Sequence, residues 1–182
     1  MRLLIYGFGP YKQFKENITE KIVRRLPEKK GLRKIVFPVR FQKRQFIAAI
    51  KEYKPDTILG LGQSSRGSYL RIELRAVNRK RVDKTERPRS IVPGRSKWLQ
   101  TNLRLDGGYR ARLSYSAGDY VCNYSIYVIL EYIRRNRLPT RFGFVHIPHE
   151  YSLARARRFL LKAVREIQTS QVSKEIRFSL HF

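Results

Sequence analysis

Short apolar runs alternate with amphipathic stretches through the first third of the chain. Arg2 to Tyr6 is a compact apolar run that stops at Gly7, the pattern of a buried strand. Gly7-Phe8-Gly9-Pro10-Tyr11 follows as a Gly/Pro turn that carries two aromatics. Asn17 to Leu26 reads as a helix, with Ile22, Val23 and Leu26 on one side, Asn17 placed to cap it and Pro27 just beyond it. Lys34 to Val39 predicts a second strand. Phe41 to Tyr53 predicts a second helix, with Phe46, Ala49, Ile50 and Tyr53 at helical spacing. Thr57 to Leu61 predicts a third strand, and Gly62 to Gly67 a Gly/Ser-rich loop after it. Strand, helix, strand, helix, strand with short connections is a βαβ layout around a largely parallel sheet. Ligands in such folds bind at loops beyond the carboxyl ends of the strands, which is where the Gly7 and Gly62 loops fall.

The second half is less regular. Tyr69 to Val77 predicts a strand with Glu73 inside it, a carboxylate that must face solvent or find a partner. Asn78 to Arg95 is polar, basic and broken by Pro88, Pro93 and Gly94, so a long loop is expected. Trp98 to Leu103 reads as a short turn, Asp106 to Gly108 as a tight turn, and Ala111 to Tyr115 as a strand. The turn-prone Ser116-Ala117-Gly118-Asp119 then leads into an apolar, aromatic run from Tyr120 to Ile133, a buried helix. Phe142 to Pro148 is another apolar strand, and Tyr151 to Ile167 an amphipathic helix with Leu153, Ala156, Leu160, Ala163, Val164 and Ile167 inward. Lys174 to Phe182 predicts an edge strand. Without a repeat or a dividing linker, residues 1–182 are expected to form one domain.

Charge alters this picture more than hydrophobicity does. The 182 residues include 40 basic and 14 acidic side chains, a net charge of +26. The basic residues are spread over the chain rather than gathered in a tail, so a cationic shell attractive to polyanions such as nucleic acid is expected. The longest uncharged run, Tyr120 to Leu130, is too short to span a bilayer, and the N-terminal apolar run is too short for a signal peptide. A soluble cytoplasmic protein with no membrane partner is expected. The single cysteine, Cys122, excludes an intramolecular disulfide and suits a reducing compartment.

Cys122 falls at the start of the buried helix, where unpaired backbone N–H groups and the positive end of the helix dipole favour a thiolate. His146 stands near the end of an apolar strand, and Glu73 inside another. A cysteine with a histidine base and an orienting carboxylate is the plan of a cysteine hydrolase. Position alone leaves the plainer alternatives open: a cysteine filling a core gap, a hydrogen-bonded structural histidine and a solvated glutamate.

The motifs around these three residues resemble those of the pyroglutamyl peptidase I family, the pyrrolidone-carboxylate peptidases. They are Gly7-Phe8-Gly9-Pro10-Tyr11, Pro55-Asp56, Gly62-Gln63, Ile72-Glu73-Leu74-Arg75-Ala76-Val77-Asn78, Ile91-Val92-Pro93-Gly94, the block from Ser114 through Cys122 to Tyr124, and Gly143-Phe144-Val145-His146-Ile147-Pro148. They occur in family order. The resemblance implies a three-layer α/β/α fold of the phosphorylase/hydrolase type with a mostly parallel mixed sheet. It implies a thiol peptidase that removes an N-terminal pyroglutamyl residue without cofactor or metal, with Cys122 as nucleophile, His146 as base and Glu73 as its orienter. It also implies a lactam pocket walled by Phe8, Tyr11, Tyr120 and Val121, with backbone contacts from Gln63 and a substrate-side contribution from Arg81. The expected partner is a peptide with a blocked N-terminus, and assembly into a homo-oligomer accompanies the family. The sequence departs from the pattern on the substrate side: Asn17-Ile18 replaces an Asn-Pro, Arg81-Val82-Asp83-Lys84 stands for a longer Arg-Ile-Pro-Asp-Asn segment, and Arg104 to Arg112 replaces the stretch before the Ser114 block. Two alternatives therefore stand beside the first: a basic polyanion-binding protein on a peptidase-derived scaffold, and a hydrolase of a related blocked N-terminal group.

Overall fold

The computed structural model describes residues 1–11, 13–83, 85–108 and 111–179, with side chains described through residue 169. In chain order the elements are β1 (Leu3–Phe8), α1 (Ile18–Arg25), β2 (Leu32–Phe37), α2 (Lys43–Tyr53), β3 (Thr57–Ser64) and β4 (Leu70–Glu73). They continue with β5 (Arg75–Val77), β6 (Trp98–Gln100), β7 (Ala111–Ser114), α3 (Val121–Arg135), β8 (Arg141–Pro148) and α4 (Leu153–Ser179).

Six strands form the main sheet in the order β2-β1-β3-β8-β4-β7. β2, β1, β3 and β8 run parallel, whereas β4 lies antiparallel to β8 and parallel to β7. The sheet is therefore mostly parallel and mixed, as expected. The central strands β1, β3 and β8 are near-continuous buried runs because helices cover both faces. On one face Leu3, Ile5, Leu59, Leu61, Val145 and Ile147 pack under Ile22 of α1 and Leu160 of α4. On the other, Leu4, Tyr6, Ile58, Phe142 and Phe144 pack under Phe46 of α2 and Ile126 and Tyr127 of α3. These are three layers, α/β/α. Among the described residues, no helix is long and apolar enough to cross a membrane.

Local chemistry places the ends of the elements. Asn17 caps α1 by accepting from the Thr19 N–H at 3.0 Å, and its amide donates to the Gly9 carbonyl at 2.9 Å. That second bond ties the helix start to the loop after β1. Lys54 closes α2 in the left-handed region, at φ 48°.

Several expectations need correction. β3 runs on through Ser64, so Gly62 and Gln63 belong to a strand rather than a loop. Their register with β8, Gly62 opposite His146 and Gln63 opposite Ile147, supplies the partner that the sequence could not reveal. The strand expected over Tyr69 to Val77 is divided at Leu74. β4 stays in the main sheet, and β5 leaves it to pair antiparallel with β6, Val77 opposite Trp98. Thr101 holds the break, its N–H donating to the Leu74 carbonyl at 2.9 Å. Trp98 to Gln100 is thus strand where a turn was expected. α4 continues as helix through Ser179 over most of the edge strand expected from Lys174 to Phe182, since extending a formed helix avoids the cost of a new nucleus. The rest of that expectation, 180–182, lies outside the described residues.

Gly62 marks where the sheet meets the start of α3. A Cβ there would stand 2.7 Å from the Cys122 Sγ and 2.7 Å from the Phe144 ring. Gly62→Ala is expected to destabilise the protein by about 1–3 kcal/mol through overpacking. Urea unfolding checks this, and an unchanged midpoint would mean that sulfur and strand are not in such close contact.

Candidate active site

The site is built across the sheet at one end of the parallel strands. β1 and β3 stay paired only as far as Tyr6 and Gly60, after which they part. A crevice opens there, where the chain's first two crossovers turn to opposite faces, the usual ligand position in such a sheet. The cavity measures about 830 Å³. Its lining runs from Phe8 at the end of β1 and Tyr11 in the loop after it, through Gln63 on β3 and His146 on β8, to Arg71 on β4. Tyr120, Val121 and Cys122 at the start of α3 close it from above.

Cys122 is the second residue of α3. The capping residue, Tyr120, gives no side-chain hydrogen bond to the first turn, so the dipole end of the helix is not sealed by a cap. The turn is fixed from behind. Ser125 Oγ donates to the Cys122 carbonyl at 2.8 Å and pairs with the buried Tyr6 hydroxyl at 3.1 Å. Asn123 clamps the helix to the chain after β5: its Oδ1 accepts from Val77 N–H at 2.9 Å, and its amide donates to the carbonyls of Val77 and Arg79 at 2.9 and 2.7 Å.

His146 is 4% exposed and Glu73 0%. His146 Nδ1 and Glu73 Oε1 are 2.7 Å apart. With Nδ1 engaged there, Nε2 is the nitrogen left for Cys122, which lines the same cavity. Phe144 meets the imidazole edge-on, with centroids 5.1 Å apart. Burial alone would lower the His146 pKa. The negative charge of Cys122 as a thiolate and the hydrogen bond and charge of Glu73 outweigh it, and the imidazole is pushed up to about 9. Burial would likewise raise Glu73, but the hydrogen bond and charge of His146, with the charge of Arg71, hold it below the ordinary carboxylate value. The solvated reading of Glu73 thus gives way to a buried carboxylate partnered by His146.

The residues expected on the substrate side also meet at this cavity. Tyr11 and Tyr120 are hydrogen-bonded through their hydroxyls, with ring centroids 5.3 Å apart. Phe41 packs edge-on against Tyr120 at 5.1 Å and so supports the aromatic wall, a contact that the sequence did not single out. Phe8 and Val121 line the cavity as buried side chains. The Gln63 side chain accepts from the Ile18 N–H at 2.9 Å and so holds α1. Arg81 lines the cavity while its guanidinium grips Asp119 at 2.6 Å and its N–H donates to the Asp119 carbonyl at 2.7 Å. It thereby ties the loop before Cys122 to the long loop after β5. Sequence reasoning missed Arg71, Asn123 and Ser125. For Arg71 a signal existed, since it stands two residues before Glu73 and shares its strand face.

Comparison with known proteins agrees with this geometry. A family model described as pyroglutamyl peptidase matches residues 96–155, the stretch that contains Cys122 and His146. The pyrrolidone-carboxylate peptidase of Saccharolobus islandicus is 29% identical over 100% of this chain and 94% of its own length. That of Pyrococcus furiosus is 31% identical over 82% of this chain and 81% of its own. The solved pyrrolidone carboxyl peptidase of Thermococcus litoralis superposes with a TM-score of 0.82 at 22% identity over 96% of each chain, a likeness of fold. The crevice, the aromatic wall and the sulfur–imidazole–carboxylate line therefore stand in a chain that belongs to the pyroglutamyl peptidase family.

Proposed function

We propose that this protein is a cysteine peptidase that removes an N-terminal pyroglutamyl residue from peptides, with Cys122, His146 and Glu73 as its working groups. The observation that carries the reading is the buried 2.7 Å contact between His146 and Glu73, in a cavity that Cys122 and an aromatic slot also line. A pyroglutamyl ring is flat and uncharged and has no amino group to pair with a carboxylate. The wall of Phe8, Tyr11, Tyr120 and Val121 suits it.

The Cys122 thiolate attacks the carbonyl carbon of the pyroglutamyl residue. The oxyanion that forms accepts from the Cys122 backbone N–H at the helix start. His146, carrying the proton, gives it to the departing amine as the C–N bond breaks and the thioester is left. The neutral imidazole then takes a proton from water, whose oxygen attacks the thioester. Pyroglutamate leaves, and the imidazolium and thiolate are restored. Glu73 keeps Nδ1 protonated and the ring in place throughout. A cysteine that must remain a thiol fits a reducing compartment such as the cytoplasm. The +26 charge gives the surface a general attraction for polyanions that is separate from the site and screened by salt.

Under reducing conditions the protein is expected to release arylamine from a pyroglutamyl-arylamide. Cys122→Ala abolishes release, and His146→Ala lowers it by roughly 10²–10⁴-fold. Undiminished release by Cys122→Ala would end the assignment.

The raised His146 pKa predicts an alkaline limb. The imidazolium's contribution to stability and to leaving-group protonation is complete below the ordinary value of 6.5 and is lost as pH rises through about 9. Glu73, held low, contributes in the opposite sense: its share is lost as pH falls below the ordinary carboxylate range. In Glu73→Gln the limb moves to lower pH. A pH–kcat profile of the two proteins tests this, and a limb that stays in place would separate Glu73 from the imidazole's titration.

A further inference from the structure

Arg71 lines the same cavity as Cys122 and His146, yet the reaction described above gives it no role. It stands two residues before Glu73 on β4, so both side chains leave the sheet on one face. The antiparallel register sets Arg71 directly opposite His146. Its Nε is 3.5 Å from Glu73 Oε1, is buried and makes no hydrogen bond. The side chain as a whole keeps 39% exposure, so the rest of the guanidinium reaches past Glu73 toward the open cavity.

The strand order says which part of a substrate it meets. Across the sheet come β1, β3, β8 and β4, with neighbours about 4.8 Å apart. Phe8 and Gln63 mark the ring-binding side, His146 the bond to be cut, and Arg71 the side beyond it. The ring-binding wall of Phe8, Tyr11, Tyr120 and Val121 is uncharged, and the cavity's other arginine, Arg81, is held by Asp119 at 2.6 Å. A guanidinium fork presents paired donors that match a carboxylate.

We propose that Arg71 forms a subsite for a carboxylate on the leaving side of the scissile bond, so that the protein prefers substrates with negative charge on the residue following pyroglutamate. This inference rests on the pyroglutamyl peptidase reading. The carboxylate is either the C-terminus of a dipeptide or the side chain of an acidic residue.

Three substrates separate these cases: pGlu-Ala with a free C-terminus, pGlu-Asp-amide and the neutral pGlu-Ala-amide, compared by kcat/KM at low ionic strength. At least one acidic substrate is expected to exceed the neutral one by about tenfold, mostly through KM, which corresponds to about 1.4 kcal/mol. Preference for pGlu-Ala alone assigns the C-terminal carboxylate, and preference for pGlu-Asp-amide alone assigns the side chain. In Arg71→Gln the ratio collapses toward one, and Arg71→Lys, which keeps the charge without the fork, retains part of it. In the unaltered protein the ratio also shrinks as salt is added. That measurement stands even if Arg71→Gln does not fold. Equal rates for all three substrates, or a ratio that survives in both variants, overturns the inference alone. An equal loss on every substrate in Arg71→Gln overturns it too, because that pattern belongs to a residue that only supports Glu73. No cleavage of any of the three overturns the pyroglutamyl reading and this inference with it.

Discussion

A carboxylate with 0% exposure must have a charged partner or give up its charge, and Glu73 has His146 at 2.7 Å. Removing one member of such a buried pair typically costs about 3–5 kcal/mol, because the other is left without compensation. The constraint reaches well beyond the two residues. It requires β4 to lie beside β8, which a strand from a long, irregular middle section does by running antiparallel to it. It requires the chain to leave the main sheet straight after Glu73, and the Leu74 N–H, donating to the Ser114 carbonyl at 2.7 Å, holds that exit. The same pair fixes the imidazole's Nδ1 and so presents its other nitrogen to Cys122.

The sulfur is positioned just as firmly. Gly62 supplies the room on β3 by having no side chain, Ser125 and the buried Tyr6 fix the first turn of α3, and Asn123 binds that turn to the chain after β5. The result is a thiol at the positive end of a helix beside an imidazole whose proton is retained to about pH 9. On the proposed mechanism, nucleophile, proton donor and oxyanion donor then come from a single junction where α3 meets the sheet. The aromatic side of the cavity draws on β1 and the loop after it, and on Tyr120 and Val121 at the same start of α3. The sulfur and half of the aromatic wall therefore share one helix end, and Arg71 lies beyond His146 on the far side of the sheet.

The parallel half of the fold was legible because its signals are local. Apolar runs ended by glycine or proline and helices with capping residues, such as Asn17 to Leu26, need no knowledge of distant neighbours. The division at Leu74 was not legible, because Tyr69 to Val77 alternates without interruption. Only the competing partners, β8 for its first part and β6 for its second, break it. Gln63 was misread as loop for the same reason: its strand status comes from β8, more than eighty positions away in the chain. At the site, Cys122 and His146 were marked by position, a helix start and a strand end. Glu73 was marked by being out of place in a strand. Ser125 carried no such mark, since a serine in a helix looks ordinary until its partners are known, and the spacing that marks Arg71 beside Glu73 was hidden among the many basic residues of a chain of +26.

The central claim is that Cys122 becomes acylated, with His146 and Glu73 preparing it. Acid quenching of the protein within the first turnover on a pyroglutamyl ester, followed by mass analysis of the Cys122 peptide, tests it most directly. The account predicts a pyroglutamyl thioester on Cys122 that forms and decays at rates consistent with turnover and is absent from Cys122→Ala. Turnover of the ester with Cys122 remaining unmodified at every time point would contradict it.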